Sequence, residues 1–321
     1  MHLGDALISP AVGGVMIAAG AGAVLLAAWK TTKRDETPVS SAAVMGVMGA
    51  FVFAAQMLNF AIPGTGSSGH VTGAVLLAAL LGPYAAVVTL SIILAIQCLM
   101  FADGGLLAIG CNIFNMAVLP CLAAFPLMSA KASDSPGKAA ARTILACAAG
   151  AEMGALAVTV ETYASGIVDA PFWLFLSLMM GIHLAIGAAE GAITAAVLAF
   201  IRGRRPCLIW SEGSGKAAWP KKLAALGLVA ALVMGGLLSP FASGDPDGLE
   251  WSFDRAGISA EESGGVPAPM PDYGVSGLDP ALGAGLSGIA GTLTAMGLAA
   301  GAGLIAYAVS RRRNRGNAGA L

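Results

Sequence analysis

The sequence begins with Met1-His2, and a histidine in second position places three nitrogen atoms where one metal ion can bind all of them. They are the terminal amine, the His2 backbone nitrogen once it has lost its proton, and the His2 imidazole. The first pair closes a five-membered chelate ring and the second pair a six-membered ring. A second imidazole, such as that of His70, could fill the remaining corner of a square plane. All-nitrogen square-planar sites suit Ni(II) and Cu(II), and low-spin Co(II) tolerates them.

This chelate requires that Met1 stays on the chain, because trimming would change both ring sizes. Methionine is removed before small residues and His2 is not small, so we expect Met1 to be retained. We also expect no cleaved signal peptide, because Asp5 is acidic, no basic stretch precedes the apolar run, and that run is longer than usual for a signal sequence. The alternative is an ordinary frayed terminus.

The composition is that of a membrane protein, with 57% hydrophobic residues, 11% charged residues and a mean hydropathy of +0.81. Soluble domains have a charged share of about a quarter. We therefore predict an all-α, polytopic membrane helical bundle. The net charge of -1 gives no indication of nucleic-acid binding. The five cysteines form no CxxC pair and lie mostly in apolar runs. We therefore predict that they are small buried side chains and neither zinc ligands nor disulfides.

The apolar runs predict about nine membrane helices. Runs near the length that crosses about 30 Å of hydrocarbon occur at roughly 11–29, 39–62, 106–128, 140–162, 172–201, 223–240 and 285–309. The stretch 71–101 is too long for one upright helix, and Gly82-Pro83 divides it. We predict two helices there, of which the first is short or partly re-entrant.

Basic residues predict the orientation, because loops rich in Lys and Arg stay in the cytoplasm. The nine-helix arrangement puts every basic cluster inside and the N-terminus, His70 and the loop 241–284 outside. That loop contains eight carboxylates and one basic residue, Arg255. It either raises the local concentration of cations near the outer face of the protein or is a solvated linker between two helices. The basic clusters are Lys30, Lys33 and Arg34; Lys131, Lys138 and Arg142; Arg202, Arg204, Arg205, Lys216, Lys221 and Lys222; and Arg311, Arg312, Arg313 and Arg315.

Polar side chains inside the predicted spans are costly and indicate a pathway or a buried network. Asn112 and Asn115 share one helix face, and His183 and Glu190 share another. His183 is either a transit ligand for an ion or a partner of a carboxylate that orients a neighbouring helix. The second helix also carries a stripe of small residues, which suits docking of a partner subunit or packing within the bundle equally well. The stripe consists of Ala42, Gly46, Ala50 and Ala54.

Several ordered motifs resemble the CbiM/NikM family, the substrate-binding membrane (S) components of energy-coupling-factor (ECF) transporters for cobalt and nickel. They are Met1-His-Leu-Gly-Asp-Ala-Leu-Ile-Ser-Pro10, Gln56-Met-Leu-Asn-Phe60 followed by Gly66-Ser-Ser-Gly-His70, Asp103-Gly-Gly with Gly110-Cys-Asn-Ile-Phe-Asn-Met116, and His183-Leu-Ala-Ile-Gly-Ala-Ala-Glu190-Gly. The later part resembles the NikN-type PDGLE domain, with Pro246-Asp-Gly-Leu-Glu250 as its signature.

The resemblance implies a seven-helix S component over 1–222 and, over 223–321, a PDGLE unit of two membrane helices and an acidic outer loop. It implies that Met1, His2 and His70 bind the metal. Family N-termini often read Met-His-Ile-Pro-Asp-Gly, and the different Leu3-Gly4-Asp5-Ala6 here leaves the choice of metal open. Candidates for supporting these ligands or lining the path of the ion are Asn59, Ser67, Ser68, Asn112, Asn115, His183 and Glu190.

The function implied is uptake of Ni(II) or Co(II) across the bacterial cytoplasmic membrane, with the ion as substrate and no permanent cofactor. The partners implied are a membrane coupling (T) subunit and two cytoplasmic ATPases on other chains. The chain itself should not be an enzyme, because it contains no GxxxxGK[ST] sequence. The alternatives are an ATP-independent metal permease and an intramembrane hydrolase that would use His183, Glu190 and Ser67 or Ser68.

Overall fold

The structure, a computed structural model, describes residues 1–33, 39–128, 135–167, 169–210, 219–258 and 267–318. It is a bundle of helices with one small hairpin. The helices are α1 (Pro10–Thr32), α2 (Val39–Gln56), α3 (Ala74–Leu81), α4 (Pro83–Phe101), α5 (Ile109–Met128), α6 (Pro136–Ala164), α7 (Phe172–Arg204), α8 (Lys221–Phe241), α9 (Gly248–Ala256) and α10 (Pro280–Ala318). The hairpin pairs β1 (Phe60–Ile62) with β2 (Ser67–Gly69).

Several helices begin where the sequence supplies a cap. Ser9 accepts a hydrogen bond from the Val12 amide, and Pro10 occupies the first helical position, where no donor is needed. Ser135 and Pro136 begin α6 in the same way. α9 begins with a capping box of Asp247 and Glu250 and ends at Gly257, whose φ of 71° favours glycine.

The predicted break at Gly82-Pro83 is confirmed. Gly82 has φ 84°, and Pro83 starts α4. α3 has only eight residues, which is about 12 Å of helix. Its far end still reaches the end of the bundle where α1 and α7 stop, since the Trp210 amide donates to the Ala79 carbonyl at 2.7 Å and Lys30 Nζ lies 6.0 Å from the Tyr84 ring.

The predicted membrane bundle is confirmed, and its count of nine helices is approximate. Seven helices in the described ranges are long and apolar enough to cross a membrane: α1, α4, α5, α6, α7, α8 and α10. α2 and α3 are apolar but shorter, so nine is reached only when both are included. Several residues used in the prediction lie outside the described residues, namely Arg34, Lys131, Lys216, Glu261 and Glu262.

The small-residue stripe of α2 faces two later helices of the same chain, α8 and α10. A Cβ added at Gly46 would lie 2.9 Å from Ala300 Cβ, and one added at Gly303 would lie 2.6 Å from Ala42 Cα, so α2 and α10 pack closely. α8 also packs on α2. Of the two interpretations of this stripe, the contacts favour packing within the chain.

Candidate metal site

The N-terminal segment is fixed in place and not frayed. Asn112 holds the backbone of Leu3 at two points, accepting from its N–H at 2.8 Å and donating to its carbonyl at 3.1 Å. Asp5 Oδ1 accepts from the amides of Leu107 and Ala108 at 2.8 and 3.0 Å. Leu3 is completely buried. These contacts hold Leu3 and Asp5 against the start of α5 and the loop before it.

The terminal amine of Met1 is buried beside a carboxylate from the far end of the sequence. Its nitrogen lies 2.7 Å from Asp247 Oδ2, and Met1 itself is 7% exposed. Burial alone would raise the pKa of Asp247. The charge of the terminal ammonium, the hydrogen bond that this ammonium donates to Asp247, and the hydrogen bond from the Glu250 amide together hold that pKa well below its ordinary value. Asp247 is therefore ionised at neutral pH.

Both ring nitrogens of His2 have partners. Nε2 lies 3.1 Å from Gln97 Oε1, and Nδ1 lies 3.2 Å from Asp103 Oδ1. Because the Gln97 amide group donates to Gln56 Oε1 at 2.8 Å, its oxygen faces His2, and Nε2 must be the donor. Asp103 Oδ1 can only accept, so Nδ1 donates in this contact. Nδ1 would close the six-membered chelate ring, and it can offer its lone pair to a metal once that proton has left and Asp103 has moved aside.

His70 follows β2 and lies against His2. The two imidazole centroids are 5.4 Å apart and the rings are inclined by 24°. His70 Nδ1 donates to the Val71 carbonyl at 3.1 Å, which leaves Nε2 as the nitrogen with a free lone pair. Burial, the terminal ammonium and His2 lower the pKa of His70 to about 4, so its imidazole is neutral at physiological pH.

A chain of buried amides joins His2 to the loop that carries His70. It runs from Gln97 to Gln56, whose Nε2 donates to the Thr72 carbonyl at 2.8 Å. Glu190 completes it, because its two carboxylate oxygens accept from the Thr72 amide, the Thr72 hydroxyl and the Gly73 amide at 2.8 to 3.0 Å. Thr72 and Gly73 lie between His70 and the start of α3, so Glu190 holds the backbone that follows His70.

The hairpin lies deep in the bundle. A Cβ added at Gly69 would lie 2.6 Å from Ile186 Cγ1, so β2 packs directly on α7. Ile186 is the fifteenth of the 33 residues of α7, close to its middle. His70 itself is 8% exposed.

The other predicted residues have different surroundings. Ser68 contacts the segment between α8 and α9, where its hydroxyl donates to the Asp245 carbonyl at 2.7 Å. Ser67 Oγ donates to the Ser68 carbonyl. Asn59 contributes its carbonyl to the Ser243 amide. Asn115 donates to Glu161 at 2.7 Å, away from the two imidazoles.

For His183 the structure shows a backbone partner, which gives no support to the predicted pairing with a carboxylate. Its Nδ1 donates to the Met179 carbonyl one turn earlier in α7, at 2.8 Å. The ring packs against Gly248, where an added Cβ would lie 3.1 Å from its Cε1. His183 therefore packs against the first residue of α9.

Sequence reasoning missed Gln97 and Gln56, although both are polar residues within or at the end of apolar helices, the criterion that identified Asn112. It also missed the contact of Asp103 with His2. Asp103 in turn accepts a hydrogen bond from the Tyr273 hydroxyl at 2.5 Å, and burial together with Asp103 raises the pKa of Tyr273 well above its ordinary value.

No group of three or more His, Cys, Asp or Glu side chains in the described ranges is arranged to hold a metal ion. The dipeptide chelate adds two nitrogen atoms that belong to no side chain, the terminal amine and the His2 backbone nitrogen. The profile of the CbiM family, described as the cobalt uptake substrate-specific transmembrane region, matches residues 2–208.

The chain belongs to the CbiM family.

The PDGLE domain profile matches residues 221–308, so this CbiM-family chain carries both regions. A fused nickel transport protein, NikMN, of Rhodobacter capsulatus is 31% identical, with 94% of this chain and 97% of that protein covered. A protein of Archaeoglobus fulgidus, provisionally named as a fused nickel transport protein NikMN, is 36% identical over 79% of this chain and 83% of its own length.

A crystal structure described as a transition metal transporter is similar in fold to part of the chain. It is 28% identical, has a TM-score of 0.54, and covers 63% of this chain and 93% of the solved one.

Proposed function

We propose that this CbiM-family chain is the substrate-binding membrane component of an ECF-type transporter that takes up nickel or cobalt. The observation that carries the proposal is the buried N-terminus, in which the His2 ring lies against His70 and the Met1 amine lies against Asp247. In the proposed site the ion is held by the Met1 amine, the His2 backbone nitrogen, His2 Nδ1 and His70 Nε2. We propose nickel as the first candidate, because fused relatives that cover both regions are named for nickel.

The experiment is a measurement of Ni(II) retained per protein after desalting. Wild type should retain about one ion, and His2→Ala and His70→Ala should each lose it, because each removes a ligand of a four-coordinate site. Asn59→Ala is a suitable control, since the contact of Asn59 to Ser243 uses its backbone carbonyl. Stoichiometric metal in His70→Ala would refute the proposed site.

The proposed partners are a membrane coupling subunit and two ATPases on separate chains. Uptake of Ni(II) into vesicles that contain all four subunits should then require internal ATP, and ATP-independent uptake by this chain alone would support a permease instead. A hydrolase is disfavoured by the geometry: Ser67, Ser68 and His183 each donate to a backbone carbonyl, so none forms a Ser–His pair.

The proposed location is the cytoplasmic membrane, with Met1 outside and the Arg311–Arg315 end inside. Cys207 follows α7 and is exposed, whereas the other four cysteines are buried. It offers a natural probe of orientation: a membrane-permeant maleimide should label it in intact cells and an impermeant one should not. Labelling by the impermeant reagent would contradict this orientation.

A further inference from the structure

The segment Asp245–Trp251, here called the bridging segment, is joined to the hairpin that carries His70. The Ser68 amide donates to the Pro246 carbonyl at 2.7 Å, and the Ser68 hydroxyl donates to the Asp245 carbonyl at 2.7 Å. Trp251 Nε1 donates to the Thr65 carbonyl, in the turn of the hairpin, at 3.0 Å. Three hydrogen bonds therefore tie the bridging segment to one half of the proposed metal site.

The same segment also holds the other half. Asp247 Oδ2 lies 2.7 Å from the Met1 amine. The second oxygen of this carboxylate, Oδ1, accepts from the amides of Leu249 and Glu250 at 2.8 and 2.9 Å and so caps α9. Asp247 thus uses one oxygen to start its own helix and the other to hold the N-terminus, 246 residues earlier in the chain.

The rest of the Pro246–Glu250 motif fixes this arrangement. Gly248 packs on α7, where an added Cβ would lie 2.9 Å from Ile186 Cδ1. Leu249 is 2% exposed in the core. Glu250 closes the capping box by accepting from the Asp247 amide at 3.1 Å. Each residue of the motif therefore has a contact that holds Asp247 in place.

We propose that the bridging segment positions the two ligand-bearing parts of the metal site against each other, with Asp247 as the positioning residue for the terminal amine. The inference rests on the proposed function, because it concerns the same chelate. A chain terminus normally has the greatest conformational freedom. Holding it before the ion arrives reduces the entropy that binding must overcome, and groups that orient metal ligands typically change metal affinity 10–100-fold.

The test compares full-length Asp247→Asn and wild type. Asparagine caps helices as well as aspartate does, so α9 should start unchanged, but its Nδ2 would face the amine as a second donor. We expect a lower apparent melting temperature, because the buried amine loses its charged partner. We also expect Ni(II) affinity lower by about 10–100-fold, measured where both proteins are folded, and faster acylation of the Met1 amine by an amine-reactive ester in the metal-free protein. Asp247→Ser, which also caps, should behave in the same way.

Asp254→Asn is the matched control. It removes one negative charge from the same helix, at an exposed residue whose contact to the Gly257 amide uses its backbone carbonyl, so its Ni(II) affinity and its rate of acylation should equal those of wild type. The inference is overturned if Asp247→Asn binds as tightly as wild type, or if Asp254→Asn weakens binding equally. His70→Ala belongs in the same series: its loss of metal shows that the site stands even if the role of Asp247 fails, and its retention of metal overturns both.

Discussion

Replacing Gln97 by methionine should weaken metal binding more than any other change to the buried amide chain. Gln97 is 1% exposed, accepts from His2 Nε2 and donates to Gln56 Oε1. Methionine has a similar volume and can make neither contact. The loss leaves Gln56 Oε1 buried without a donor, which costs about 1–3 kcal/mol of stability.

The loss also frees the His2 ring to rotate and to place its proton on Nδ1, the nitrogen needed by the ion. Removal of such a ligand-orienting partner typically lowers metal affinity 10–100-fold, or about 1.4–2.7 kcal/mol. Ni(II) affinity can be measured by calorimetric titration in detergent against a competing chelator. Apparent melting temperature measured on the same samples reports the stability change.

Gln56→Met separates the two effects. It removes the contacts to Gln97 and to the Thr72 carbonyl, so it should reduce stability by a comparable amount, yet it leaves the hydrogen bond between Gln97 and His2 in place. Its affinity loss should therefore be much smaller than that of Gln97→Met. Wild-type affinity in Gln97→Met, or equal losses in the two variants, would refute the reasoning.

Three further predictions concern the site. An alanine inserted between Met1 and His2 gives a terminus whose own four nitrogens can close the square plane. The variant with this insertion should therefore retain Ni(II) after desalting even when it also carries His70→Ala, while its uptake of Ni(II) into vesicles should fail. Loss of metal from that double variant would contradict the ring-size argument. The metal-free protein should lose stability as pH falls from about 6.5 to about 4, because the folded-state pKa of His70 is below its ordinary value and the unfolded chain takes up the proton first. The share contributed by His70 is on the order of 3 kcal/mol, so the melting temperature of His70→Gln should fall less with pH than that of wild type. Glu190→Gln should weaken Ni(II) binding in titrations, because one carboxylate oxygen that accepts near Thr72 becomes a donor, whereas an unchanged affinity would show that Glu190 does not orient the loop after His70.

Local chemistry made much of the fold predictable. Long apolar runs predicted the membrane helices. The break at Gly82-Pro83 was predicted because glycine is flexible and proline has no amide donor. The ring sizes of a Met-His terminus singled out one end of the chain before any contact was known. His70 could be paired with it because basic loops placed both on one side of the membrane.

Contacts between distant parts of the sequence could not be predicted in the same way. Nothing local in Pro246–Glu250 indicates that Asp247 meets the terminal amine, because that contact depends on how α9 packs on α7. The partner of His183 could not be predicted for a related reason. A buried histidine can donate to a carbonyl of its own helix, and sequence alone does not distinguish that from a carboxylate partner.

The position of the hairpin against Ile186, near the middle of α7, has an electrical consequence. A charge that moves through the whole membrane potential gains about 2.3 kcal/mol per 100 mV, so a charge that stops halfway gains about half of that. Loading of the site from outside should therefore depend on voltage, by about sevenfold in affinity per net charge per 100 mV. The net charge is two for the ion alone and falls by one for each proton that the amine or the His2 amide returns to the outer solution. The slope of affinity against membrane potential thus counts the protons that leave when the ion enters.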